Sequence, residues 1–396
     1  MRRRQIDGLV VLGDTTLGNP DLTYVAGGHL ARGGIYFRRA GHTPLLLTSN
    51  LDIQNARKLG KVRRIQTYTD HAFEKLTTRH GRTKAYPMLI DQVLKELGVE
   101  GRIVLAGRND LDSGIHLFNA LRSLGRDITG EASPTLLEYA RETKSKEEIH
   151  EIRTVGTKTA HIVNSILKIL RNAQRRRGHI WIAKQHATVG ILKQAIATQL
   201  TLQNLTAPEG TIFATGGSSA DPHNSGNPST KLKEGQLIVF DIFPQSESGY
   251  WFDLTRSFTI GKANKKSRHM FDTVLEAQTA AQDLLQDGLP GEEAMDKACD
   301  VIERNGFRTI RDLYRGRVHK LKSGFTHSLG HGVGLTIGER PYLTLQSKDP
   351  LRIGHVVTVE PGVYIPRLGG IRIEDTVAIT KQGIQNLANV QKELTL

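Results

Sequence analysis

Residues 235–261 read GQLIVFDIFPQSESGYWFDLTRSFTIG. Two runs rich in Ile, Val, Leu and Phe flank a polar tip, QSES (245–248), the pattern of two strands and a short turn. Asp241 sits in the first run and Asp253 in the second, with Glu247 at their midpoint. A hairpin symmetric about Glu247 sets the two aspartates directly opposite each other, where Cβ atoms lie about 4.5–5.5 Å apart. Two carboxylates that close on apolar strands repel each other, and a cation between them removes the repulsion.

The same arrangement recurs downstream. HVVTVEPGVYIP (355–366) and GGIRIEDTVAI (369–379) read as neighbouring strands joined by a turn, with Glu360 in one and Glu374 in the other. Charged side chains are seldom buried unless they are paired or bind a metal. One such residue is readily explained as an outward-facing, solvated strand position. Four of them in two similar hairpins are not. HSLGHGVGL (327–335) adds His331 between two glycines and His327 four residues before it. Four carboxylates and an imidazole form an oxygen-rich donor set, suited to Mn²⁺ first, with Co²⁺ or Zn²⁺ as alternatives. Bridging carboxylates suit two ions about 3.5–4 Å apart, which together activate a water for attack on a carbonyl.

Around this block, 396 residues is the length of two domains or three. The first ~135 residues alternate strand-like runs, DGLVVLG (7–13), HTPLLLTS (42–49) and GRIVLAG (101–107), with helical patterns at 52–59, 86–97 and 113–124. That alternation predicts an α/β domain over 1–137. GNPDLTYVAGG (18–28) has the density of turn formers expected of a loop. A second domain, 138–396, begins with helices predicted at 145–173 and 180–201, the first opened by a capping box of Ser145 and Glu148. The chain is strand-rich from Thr211, with further helices at 268–286 and 291–305.

The 54 Lys and Arg against 40 Asp and Glu give a net charge of +14. Residues 1–200 hold 32 basic and 18 acidic side chains and 201–396 hold 22 of each, so the whole excess lies in the first half. A basic half attracts polyanions by steering, but the densest runs, Arg2–Arg4 and Arg175–Arg177, contain no interleaved aromatic residue, which argues against a nucleic-acid partner. One cysteine, Cys299, excludes an intramolecular disulfide and a cysteine-built zinc site, and points to a reducing cytoplasm. The apolar run Leu9–Leu12 is too short for a signal peptide, and no run is long enough to span a membrane. There is no G-x-S-x-G elbow for serine catalysis, and the glycine clusters at 27–34 and 216–217 read as turns.

VFD, DLTR, HSLGHGVGL, TVEPG and IRIEDT (239–376), in this order, resemble the five ligand-bearing segments of the pita-bread metallopeptidases: aminopeptidase P, prolidase and methionine aminopeptidase. PHNSG (222–226) resembles the upstream segment that carries a substrate-side histidine, and NPDLTYVAG with RETKSKEEI (141–149) resembles the creatinase-type N-terminal domain of aminopeptidase P and prolidase. The resemblance implies an α/β creatinase-like domain followed by a pita-bread catalytic domain. It implies that Asp241 chelates one metal, Asp253 and Glu374 bridge both, and His331 and Glu360 bind the other. Glu360 would also serve as general base, and His223 and His327 would line the substrate side, His327 at the scissile carbonyl. Arg372 would orient Glu374 and face the substrate. The implied substrate is a peptide with proline second, cleaved by an Xaa-Pro aminopeptidase or dipeptidase, and by analogy the chain is a homodimer. Two other classes compete: a hydrolase of a non-peptide C–N bond on the same fold, and a non-catalytic binding module.

The chain departs from the family pattern twice. The spacing from Asp241 to Asp253 is one residue longer than usual, which the hairpin tip absorbs. Seven residues after His331, where these peptidases keep a histidine, GLTIGERP (334–341) has Gly338. The loss would slow hydrolysis, change the substrate, or be covered by Glu339 or a water.

Overall fold

Along strand β1 (Gly8–Gly13), Val10 and Leu12 enter one apolar cluster while Leu9 and Val11 enter another. A strand buried on both faces needs apolar residues at every position, which is why 8–13 reads as a continuous run. The computed structural model describes residues 1–396 and divides into two units, Met1–Arg141 and Glu142–Leu396. In the first unit, β1 is central to a six-stranded sheet with β2 (Gly34–Arg39), β3 (Leu45–Thr48), β4 (Arg64–Thr67), β5 (Ile103–Gly107) and β6 (Ile128–Thr129), in the order β4-β3-β2-β1-β5-β6. Helices α1 (Arg82–Glu96) and α2 (Leu111–Ser123) cover the Val10 face through Leu89, Val93, Leu117 and Leu121.

The expected loop at 18–28 is instead an N-capped helix, Pro20–Ala26. Asn19 Oδ1 accepts from Leu22 N at 3.1 Å, proline opens the first turn, and Gly27 closes the last with φ 79°. The turn formers in that segment are the helix caps.

The second unit opens with α3 (Lys146–Arg171), whose Ser145–Glu148 capping box forms as expected. The helix expected over 180–201 is shorter: 174–186 forms a three-stranded ribbon, and α4 runs over Val189–Leu202 behind a Thr188 cap. Positive φ at Arg177, Gly178, Ala183 and Lys184 makes the two tight turns that periodicity did not reveal.

Strands β7 (Thr211–Thr215), β8 (Leu237–Ile242) and β9 (Leu254–Thr259) form one antiparallel sheet, ordered β7-β8-β9. A five-stranded sheet is built from β10 (Gly330–Val333), β11 (Ile337–Leu343), β12 (Val356–Val359), β15 (Asp375–Thr380) and β16 (Gly383–Asn386), ordered β11-β10-β12-β15-β16. Between β12 and β15 the chain makes the separate ribbon β13 (Gly362–Ile365) and β14 (Gly369–Arg372). The two ladders keep one register: Val359 pairs with Asp375 and Gly362 with Arg372. Helix α5 (Lys265–Gln282) packs Met270, Val274 and Ala277 against Val357, Val359, Ile371 and Ile373, and α6 (Gly291–Arg304) adds Met295 and the fully buried Cys299.

Candidate metal centre

The acidic residues stand where ladders end. Glu360 and Glu374 face each other in the gap between the β12–β15 and β13–β14 ladders, and their amides bond elsewhere: Glu360 N donates to Leu329 O and Glu374 N to Thr255 O. This break strands the carbonyls of Val359 and Ile373, and Gln278 Nε2 of α5 donates to both, at 2.9 and 3.0 Å. A buried glutamine thus stabilises the kink that turns both glutamates into one space.

The first hairpin differs from its expected register. Asp241 pairs with Thr255 and Ile242 with Leu254, so the hairpin centres on Ser248 and not Glu247. The bridge between Gln245 and Trp251 keeps that centre out to the tip. Asp253 therefore lies two places from the position opposite Asp241, a diagonal neighbour on the same face.

Both aspartates, both glutamates, His331, His327, His223 and Arg372 line a single cavity of about 440 Å³. His331 Nε2 lies 3.7 Å from Asp253 Oδ2 and 3.4 Å from Glu360 Oε1. Its Nδ1 is 3.1 Å from Gly332 O, which fixes the ring so that Nε2 meets the acids. One ligand atom each from Asp253, His331 and Glu374 lies within 4.8 Å of the others. His223 is exposed at the cavity edge.

Among the described residues, Arg372 is the one fixed cation of this lining, 4 % exposed. Its Nη2 donates to Asp241 Oδ2 at 2.6 Å, Nη1 to the Tyr364 hydroxyl at 2.8 Å, and Nε to Thr255 Oγ1 at 3.2 Å. Thr255 Oγ1 in turn donates to Glu374 Oε2 at 2.6 Å. A hydrogen-bonded chain thus runs from Arg372 through a threonine to Glu374, a relay that sequence reasoning missed along with Tyr364. Both residues were visible inside DLTR and EPGVY, but a hydroxyl in a strand carries no signal until its partner is known.

Burial, and then the charges of Glu374, Asp241 and Glu360, push the Asp253 carboxyl well above the usual range. Burial with Glu360 and Asp241 does the same to Glu374. Glu360 rises to about 8, chiefly by burial. Burial and the adjacent Arg372 lower His327 to about 3, so it is neutral at physiological pH. Its Nδ1 lies 2.8 Å from Ser328 O and its Nε2 2.9 Å from the Tyr364 hydroxyl. In the neutral ring this makes Nδ1 the donor to the carbonyl and Nε2 the acceptor from tyrosine.

A divalent cation fits this donor set. Asp241 Oδ1, Asp253 Oδ1 and Glu374 Oε1 are buried with no hydrogen-bond partner among the described residues, each a desolvated acceptor that a cation would satisfy. Gly338 has φ 76°, and a Cβ there would meet no described atom within 4 Å. Glu339 does not cover for the missing histidine: its carboxylate is 2.8 Å from buried Lys144 Nζ, accepts from Thr336 Oγ1, and is not part of the cavity lining.

Comparison with known proteins agrees with this geometry. Residues 150–381 match the model of metallopeptidase family M24. The chain is 30 % identical over 321 residues to a Xaa-Pro dipeptidase of Pyrococcus furiosus, covering 78 % of this chain and 84 % of the relative. It is 30 % identical over 329 residues to the Xaa-Pro dipeptidase of Pyrococcus horikoshii, covering 81 % and 87 %. The Xaa-Pro dipeptidase from Bacillus anthracis superposes with a TM-score of 0.77 at 24 % identity, over 99 % of this chain and 95 % of that one. The X-Pro aminopeptidase from Thermotoga maritima gives 0.75 at 22 %, over 100 % and 99 %. These superpositions establish the fold, a pita-bread unit preceded by a creatinase-like one, over the whole length. With the family model matching more than half of the chain, the protein belongs to metallopeptidase family M24.

Proposed function

We propose that the chain hydrolyses the bond before proline in peptides whose second residue is proline, as an Xaa-Pro aminopeptidase or dipeptidase. The observation that carries this reading is the convergence of three unsatisfied buried carboxylate oxygens and His331 Nε2 on one cavity. Asp241, Asp253, His331, Glu360 and Glu374 would hold two divalent ions, Mn²⁺ first and Co²⁺ or Zn²⁺ as alternatives. When bound, such ions supply electrostatic activation of a water and of the scissile carbonyl. Glu360 acts as general base, taking the proton of the attacking water and passing it to the proline nitrogen as the bond breaks. His223 and His327 flank the substrate. His327 Nε2 is the acceptor in the tautomer that its Ser328 and Tyr364 contacts assign, so a bond from this ring to the carbonyl oxygen requires the proton to move from Nδ1.

Ile212, Phe243 and Ile337 give the cavity an apolar wall suited to a pyrrolidine ring. The names of the Pyrococcus relatives support the proline preference. Among the described residues no helix is long and apolar enough to cross a membrane; the lone buried Cys299 favours a reducing cytoplasm, and a homodimer is proposed by analogy. In the same reading, residues 1–137 are the creatinase-like domain and 138–396 the catalytic one. The test is release of alanine from Ala-Pro and from Ala-Pro-Ala with Mn²⁺ or Co²⁺, repeated with chelator. Chelator-sensitive release supports the proposal, and its absence from protein that demonstrably holds two ions sinks it.

A further inference from the structure

A basic surface whose residues are not part of the metal-centre cavity lining lies on the ribbon between α3 and α4. Residues 171–186, RNAQRRRGHIWIAKQH, hold five Lys or Arg and no carboxylate. Three short strands, Gln174–Arg176, His179–Ile182 and Gln185–His186, pair antiparallel. Gln174 pairs with Trp181, Trp181 with His186, and Arg176 with His179, so these five side chains share one face. Ile180, which alternates with them, is fully buried on the other.

On that shared face the rings form a platform. Trp181 and His186 pack with centroids 4.0 Å apart and ring planes tilted by 33°, and His179 meets His186 edge-on at 5.2 Å. The Arg176 guanidinium lies 5.7 Å from the indole centroid. Burial and the positive charge of Lys231 hold His186 below the usual imidazole range, so its ring is neutral. Lys231 and Lys233 border the ribbon through bridges to Thr188 and His179. Two of the nearby arginines are already engaged: Arg171 pairs with Glu393, and Arg175 with Glu234 and the Leu396 carbonyl. Arg176, Arg177, Lys184, Lys231 and Lys233 are exposed and have no acidic partner within 4 Å among the described residues.

Five unneutralised cations beside a half-buried indole and two half-buried imidazoles combine two recognition chemistries. The cations suit phosphates, and the ring faces suit unpaired bases, whose stacking needs no particular sequence. An acidic protein or an anionic lipid surface would use the cations alone, and a duplex hides its base faces. In the linear sequence no aromatic residue interrupts Arg175–Arg177, but the ladder brings Trp181 and His186 beside it. We propose that this ribbon docks single-stranded nucleic acid, with phosphates on Arg176, Arg177, Lys184, Lys231 and Lys233 and bases against Trp181.

The test is a fluorescence titration of the full-length protein with an oligothymidylate of about fifteen nucleotides. The chain has two tryptophans, and Trp251 is buried, so quenching reports on Trp181. Five phosphate contacts at about −0.7 each predict a slope of log K against log salt near −3.5, or roughly 100-fold weaker binding at 200 mM than at 50 mM. Arg176→Glu with Arg177→Glu should weaken binding at least ~10-fold while leaving peptide hydrolysis unchanged. Trp181→Phe should abolish the quenching and, read by anisotropy of a labelled oligonucleotide, keep most of the affinity. The proposal is overturned by no saturable quenching at 50 mM salt, or by affinity indifferent to the double substitution. It is equally overturned if duplex DNA, heparin or phosphatidylserine vesicles bind as tightly as the oligothymidylate.

Discussion

Replacing Asp253 with asparagine should have opposite effects on stability in metal-free and metal-loaded protein. Its folded-state carboxyl is raised above the unfolded value of 3.8, by burial first and then by Glu374, Asp241 and Glu360. Between those two values the native state keeps a proton that the unfolded state has released. Metal-free stability therefore falls as pH rises above about 4, by about 1.4 kcal/mol per unit for that proton. The fall stops when ionising Asp253 beside its neighbours becomes the cheaper path. With its ligand atom no more than 4.8 Å from that of Glu374, one such repulsion at an effective dielectric of ~20 is about 3 kcal/mol. The neutral amide of Asp253→Asn carries neither cost, so in chelator at pH 8 the variant should be more stable than wild type by about 3 kcal/mol. For a unit of this size that is a rise of roughly 6–12 °C in melting temperature. At pH 4 most of the gain should be gone, because the unfolded aspartate, with its value of 3.8, is then partly protonated as well. With saturating Mn²⁺ at pH 8 the order should invert, since wild type alone gains the linked binding energy. Scanning calorimetry of the two proteins with chelator and with Mn²⁺, at both pH values, reads all of this. A loss of stability of equal size with and without metal would refute the reasoning, because Asp253 would then be an ordinary structural carboxylate.

Three further outcomes follow from the geometry. Arg372→Lys keeps the charge but loses the fork that holds Asp241, Tyr364 and Thr255 together; metal affinity or kcat/KM should drop roughly 10–100-fold, measured by Mn²⁺ titration and initial rates. Lys144→Met removes the buried cation paired with the Glu339 carboxylate, which keeps its Thr336 hydrogen bond, and should cost about 3–5 kcal/mol by calorimetry, most of it recovered when Glu339→Leu is added. Gly338→Ala meets open space but must adopt φ 76°, so it should cost about 1–2 kcal/mol, and Gly338→Asn less, both read as shifts in melting temperature.

The chemistry of the centre was legible because its residues contradict their surroundings. Asp241, Glu360 and Glu374 interrupt Val, Ile and Phe runs, and that conflict is visible without coordinates. What periodicity could not reveal was geometry set by other parts of the chain. The offset that makes Asp253 a diagonal neighbour of Asp241 comes from the Gln245–Trp251 bridge in the tip, which alternation alone does not specify. The ladder break at Glu360 and Glu374 depends on Gln278, a helical residue 81 positions before Val359 in sequence. The helix at Pro20–Ala26 was hidden because Asn, Pro and Gly serve equally as turn formers and as caps. Likewise the ribbon at 174–186 rests on φ values that Arg177, Ala183 and Lys184 adopt only because the surrounding strands impose them.

The most direct test of the two-cation centre is Mn²⁺ titration into chelator-stripped protein, wild type against Asp253→Ala, with bound metal counted by elemental analysis. The account predicts two equivalents on wild type and none held tightly by the variant, whose circular dichroism should remain native. Two equivalents retained by Asp253→Ala would contradict the assignment of these carboxylates as ligands.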